Sequence, residues 1–166
     1  MRRWLFGLLL LATTAPSAWA QPPVPPGFVS LSLAGIGGDM TLASESRLPV
    51  RPRDAHWDGT LLTLLAAGQR GAVREAELRV PGAAAGHRFD LGTPNGASLR
   101  ITLAAGSVLE PARGQGFIQV AELDARHTTG TFEGTIPQGH IPLVVHGRFE
   151  ASFTPAAPAP ARTDTP

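Results

Sequence analysis

The five histidines are the side chains of this chain that could take part in the most kinds of chemistry, because imidazole can ligate a metal or carry a proton near neutral pH. They are His56, His87, His127, His140 and His146. A metal site needs three or four converging ligands, and no two of these histidines have HxH or HxxxH spacing. His140 and His146 could share one end of a hairpin, with His127 as a third candidate ligand. We expect solvated or hydrogen-bonded histidines, with no metal and no other cofactor.

Serine and carboxylate chemistry is the next candidate. A serine hydrolase commonly places its nucleophile in a G-x-S-x-G elbow, and a glycosidase needs two facing carboxylates. Asp124 or Glu122 could meet Glu133 across a hairpin, although outward acids usually pair with arginine, and Arg126 and Arg148 are near. We predict no catalytic residues and keep an unrecognised hydrolase as an alternative. The serines considered, all outside that elbow, are Ser30, Ser32, Ser44, Ser46, Ser98, Ser107 and Ser152.

Two short motifs favour turns over ligand sites. The glycines of residues 35–38 resemble part of a phosphate loop, but no helix follows to supply the N-terminus that binds phosphate. We interpret them as a hairpin turn. Trp57-Asp58-Gly59 predicts a turn into a buried strand, with Trp57 capping one end of the fold. At a rim the same indole could also stack on a sugar.

Composition excludes several classes of protein. The chain has no Cys, so disulfides, thiolate metal sites, Cys nucleophiles and a lipid-anchoring cysteine are excluded. It has 14 basic and 13 acidic side chains, and without Arg2 and Arg3 the formal charge is −1. Such a balance gives no electrostatic pull toward nucleic acid or anionic lipid. The absence of Tyr argues against the aromatic girdles of an outer-membrane barrel.

The first twenty residues predict a secretory signal peptide. Arg2 and Arg3 precede an apolar run, and Ala18-Trp19-Ala20 is a small-x-small cleavage site. The run is too short for a transmembrane helix, so we expect no membrane span after cleavage. Residues 21–27 are predicted as a proline-rich leader, residues 28–153 as the folded domain, and residues 154–166 as a disordered proline- and alanine-rich tail.

Within residues 28–153 the hydrophobic period is two, which predicts strands. Residues 60–66 are apolar on both faces, as in a strand buried on both sides. The alternation slips near Val120-Ala121, which predicts a β-bulge. We predict an all-β fold, an antiparallel sandwich or small barrel of about eight or nine strands. Its predicted core includes Phe132, Phe149, Phe153, Leu99, Ile101, Leu143 and Val145.

Two similar stretches close the domain, Gly130-Thr131-Phe132 and Gly147-Arg148-Phe149. They predict adjacent antiparallel strands whose Phe side chains fill one core. With the earlier stretch His87-Arg88-Phe89-Asp90-Leu91-Gly92, they resemble small exported bacterial β-domains of unassigned function, over about residues 60–153. The resemblance implies an antiparallel β fold in the cell envelope and carries no catalytic residues.

Together these observations predict an exported, non-catalytic β-domain of the bacterial periplasm or cell exterior. It would act as a binding or structural module for an unknown envelope protein or a small ligand. The alternatives are a β-barrel that binds a small apolar ligand and the unrecognised hydrolase.

Overall fold

The computed structural model describes residues 27–35 and 41–154, without the side chains of residues 41–45. The predicted signal peptide, most of the leader, the turn at residues 36–38 and nearly all of the tail lie outside the described residues. The elements in chain order are β1 (Gly27–Gly35), β2 (Thr41–Trp57), β3 (Leu61–Ala67), β4 (Val73–Pro81), β5 (Arg88–Asp90), β6 (Ser98–Leu103), β7 (Val108–Leu109), β8 (Gly116–Leu123), β9 (His127–Ile136) and β10 (Leu143–Ser152).

All ten strands belong to one antiparallel sheet, in the order β5-β8-β9-β10-β1-β2-β3-β4-β6-β7. The sheet curls into a half-barrel. Its two ends approach each other, because Leu91, just after β5, forms a bridge with Ala97, just before β6. The predicted all-β, antiparallel class is therefore confirmed. Among the described residues, no helix is long and apolar enough to cross a membrane.

Two strands differ from the sequence prediction. β2 runs for 17 residues, and the alternation that predicts strands does not extend along all of it. Pro49 and Pro52 interrupt the alternation there, and the pairing with β3 shifts between Val50 and Ala55. β7 has only two residues, too few for a periodic signal. With β7, the described part of the chain has ten strands in place of the predicted eight or nine.

One face of the sheet supplies the core. All seven predicted core residues are buried, with Phe132 exposing 1% of its surface and Phe149 exposing 2%. The prediction that the strand at residues 60–66 is buried on both faces is wrong, because Leu61, Thr63 and Leu65 are only half-buried. Their side chains lie on the outer face of a sheet that curls around a single core.

The two Gly-x-Phe stretches pair with each other in a reciprocal register. Gly130 on β9 is opposite Phe149 on β10, and Phe132 is opposite Gly147. A β-carbon added to Gly130 would clash with the Phe149 ring, and one added to Gly147 would clash with the Phe132 ring. Each phenyl ring therefore fills the space that the glycine opposite leaves open. The predicted pairing of these strands is confirmed.

Local features fix where the flanking strands turn. The predicted bulge is confirmed, because the β8–β9 register shifts between Val120 and Glu122. At the predicted turn after Trp57, Asp58 accepts hydrogen bonds from the backbone N–H groups of Leu61 and Thr60, each at 2.8 Å. These bonds stabilise the carboxylate and lower the pKa of Asp58 to about 2.

Candidate functional site

A groove of about 500 Å³ crosses the outer face of β1, β10, β9 and β8. Alternation along each strand turns hydrophobic side chains to the core and polar ones to this face. The lining residues are Ser30, Leu31, Ser32, Phe117, Thr131, Phe132, Glu133, His146, Gly147 and Arg148. Hydroxyl, imidazole, guanidinium and carboxylate groups therefore converge on one open surface.

The strand register arranges this face in two parallel rows that run across the strands. The arginine row is Arg47, Ser30, Arg148, Thr131, Gln119 and Arg88, on β2, β1, β10, β9, β8 and β5 in that order. The acid row is Ser32, His146, Glu133, Phe117 and Asp90, on β1, β10, β9, β8 and β5. With strands about 4.8 Å apart, the arginine row spans about 24 Å along the sheet.

Stacking on aromatic rings positions the guanidinium groups of the arginine row. The guanidinium of Arg47 lies 3.9 Å from the centre of the Phe28 ring, and that of Arg148 lies 5.6 Å from it. At the other end, the guanidinium of Arg88 lies 3.6 Å from the centre of the Phe117 ring. Such cation–π contacts hold a guanidinium at the surface while leaving its N–H donors available to other groups.

In the acid row, His146 contacts Ser32 and is opposite Glu133. The Ser32 hydroxyl lies 2.7 Å from Nε2 of His146 and 3.4 Å from Nδ1. Among the described residues, no carboxylate forms an ion pair or a hydrogen bond with either ring nitrogen of His146. A Ser-His-acid triad has a different arrangement, in which one ring nitrogen contacts the serine and the other contacts the acid. The contact between Ser32 and His146 therefore fits a polar binding surface better than a nucleophile–base pair.

The proposed hairpin carboxylates do not face each other in pairs. Asp124 lies in the β8–β9 turn and accepts backbone hydrogen bonds from Arg126 at 2.6 Å and His127 at 2.8 Å. These bonds lower the pKa of Asp124. Glu133 is farther along β9, opposite Phe117 and His146. The carboxylate pair considered for Asp124 and Glu133 is therefore not formed.

Glu122 also has a different partner from the one expected. It lies 3.9 Å from His127, and Glu150 lies 3.8 Å from the same ring on the other side. The expected pairing with Arg126 or Arg148 is wrong for Glu122, since His127 takes that place. At half-exposed positions such contacts add little to stability.

The five histidines are spread over the fold. His127 pairs with Ser152 at the far end of β10 from His146, and His140 lies in the exposed β9–β10 loop. His56 lines a second groove of about 560 Å³ with Trp57, Phe153 and Arg126. His87 contacts Phe89 with a centroid separation of 6.4 Å. Within the described residues, no group of three or more His, Asp or Glu side chains is arranged to hold a metal.

The serines considered for catalysis are likewise separated. Ser30 and Ser32 line the first groove, and Ser98 lies on β6, where it pairs with Arg79 of β4. Ser107 is in an exposed turn and Ser152 ends β10. Ser46 is half-buried on β2, and the side chain of Ser44 lies outside the described residues. The sequence did not predict that Ser30 and Ser32 would line one groove.

Comparisons with known proteins identify no relative for this chain. No family model matches it, and neither the curated proteins nor the solved structures give a match. The resemblance to exported β-domains stays a prediction, and function has to be inferred from the groove itself.

Proposed function

We propose that this chain is an exported, non-catalytic binding module of the bacterial cell envelope, located in the periplasm or at the cell exterior. The groove on β1, β8, β9 and β10 would hold its ligand. One observation carries the proposal: the pairing of β1 with the β9–β10 hairpin brings Ser32, Thr131, Glu133, His146 and Arg148 to one open groove of about 500 Å³. A groove with a few convergent polar groups is the usual form of a ligand site.

Packing of the core argues for a site on the outer face. Of the residues that the structure describes, 28 hydrophobic ones are buried in the core, each exposing 6% of its surface or less. An apolar ligand inside the barrel would have to displace side chains such as Phe132 and Phe149. In the outer groove, an apolar ligand would instead leave Glu133 and Arg148 without polar partners, at a free-energy cost. The groove therefore favours a polar ligand.

Co-sedimentation with the envelope fraction of the source cells tests the proposal. We expect the wild-type domain to sediment with that fraction and the double variant Glu133→Ala/Arg148→Ala to remain in the supernatant. The matched control is Arg79→Ala, which removes an exposed arginine from the outer face of β4. Circular dichroism checks that both proteins are folded. If the folded double variant sediments as much as the wild type does, the groove is not the binding site.

A further inference from the structure

The arginine row and the acid row together indicate the chemical class of the ligand. We propose that the ligand is an acidic polysaccharide, with carboxylates on the arginine row and hydroxyls on the acid row. The inference rests on the proposed function and adds to it the chemistry of the ligand.

The arginine row suits carboxylates. Among the described residues, the ion pairs of arginine with a carboxylate are formed by Arg51, Arg53 and Arg100, none of which lines the groove or belongs to the arginine row. Arg47, Arg88 and Arg148 instead stack on phenyl rings. A stacked guanidinium retains N–H donors in a planar fork that matches a carboxylate. Arg47 and Arg148 share the Phe28 ring, and the backbone of Arg88 lies three strands, about 14 Å, from that of Arg148.

The acid row requires hydrogen-bond donors from the ligand. Glu133 is the one acid among the described residues that line the groove, and Asp90 continues its row on β5. A carboxylate only accepts hydrogen bonds, so a purely anionic polymer would leave Glu133 facing like charge. Sugar hydroxyls can donate to Glu133 and accept from Ser32 or His146. An acidic sugar carries both the hydroxyls and the carboxylate that the two rows need.

Backbone geometry argues against an acidic peptide. Peptides commonly bind sheets by adding a strand to an edge, where N–H and C=O groups are unpaired. Here β1, β8, β9 and β10 each have a neighbour on both sides. Recognition at this face therefore depends on side chains, and hydroxyl and guanidinium groups suit a carbohydrate chain lying across the strands.

Affinity electrophoresis of the whole mature chain tests the inference, with polygalacturonate in the gel as the probe. Dextran serves as the neutral polysaccharide and poly-glutamate as the acidic peptide. We expect retardation by polygalacturonate alone, with Arg148→Gln raising the apparent Kd about tenfold or more. Arg79→Gln should behave like the wild type.

The variant Glu133→Gln separates recognition from plain charge attraction. It removes a negative charge, so it should strengthen binding to any polyanion held by charge alone. If Glu133 accepts sugar hydroxyls, the same change weakens binding to polygalacturonate several-fold. Tighter binding by Glu133→Gln, or equal retardation by poly-glutamate or dextran, would overturn the inference. No retardation by polygalacturonate, with envelope co-sedimentation intact, would overturn it while leaving the proposed function in place.

Discussion

Replacing Phe149 by alanine is expected to lower the free energy of unfolding by about 3–5 kcal/mol. The ring is 98% buried and occupies the space above Gly130 on the neighbouring strand, so its loss leaves a cavity that the sheet cannot close. That loss is a large part of the stability of a domain of this size, which is about 5–15 kcal/mol. Chemical denaturation followed by circular dichroism measures it.

Phe117→Ala is the matched control for this prediction. Phe117 is half-buried on the outer face of β8 and stacks under Arg88, so its truncation opens no cavity in the core. We expect a clearly smaller loss of stability than for Phe149→Ala. A denaturation curve for Phe149→Ala that overlays the wild type would contradict the assignment of the inner face.

The second large effect is expected at Gly130. A β-carbon there would clash with the Phe149 ring and with the backbone oxygen of Gln119 on β8. Gly130→Ala should therefore destabilise the domain by about 1–3 kcal/mol through overpacking. In the double variant with Phe149→Ala, one of the two clashes is removed. The combined loss should then be smaller than the sum of the single losses, which a double-mutant cycle measures.

A control cycle uses Gly71, where an added β-carbon would meet open space. Gly71→Ala is expected to cost stability only through its left-handed backbone, with φ at +99°. Its cost should add to that of Phe149→Ala without coupling. If Gly130→Ala and Phe149→Ala were also additive, the reciprocal packing of the two Gly-x-Phe stretches would be refuted.

Alternation in the sequence was sufficient to predict most of the strands and the inner face of those near the C-terminus. Leu143, Val145 and Phe149 are apolar at every second position, and each is buried. The slip at Val120-Ala121 likewise predicted the bulge, since one extra residue reverses the face of every later side chain. The alternation and its slip can be seen in the sequence because both depend on the order of residues along a single strand.

The groove could not be predicted in this way. Ser30 meets Arg148 only because β1 pairs with β10, and Thr131 meets Gln119 only because β8 pairs with β9. Alternation shows which side chains point outward but not which strands are neighbours. The two Gly-x-Phe stretches were the one indication of register in the sequence. A Phe ring on one strand needs the space that a glycine leaves on the neighbouring strand. That signal aligns β9 with β10 and leaves β1 unplaced.

Site-specific photo-crosslinking tests most directly whether the groove binds a ligand. Thr131 is exposed at the centre of the groove, between Arg148 on β10 and Gln119 on β8, and Arg79 is exposed on the outer face of β4. A benzophenone amino acid would replace each residue in turn, followed by irradiation with the envelope fraction. We predict a crosslinked adduct from position 131 and none from position 79. An adduct from position 79 with none from position 131 would contradict the account.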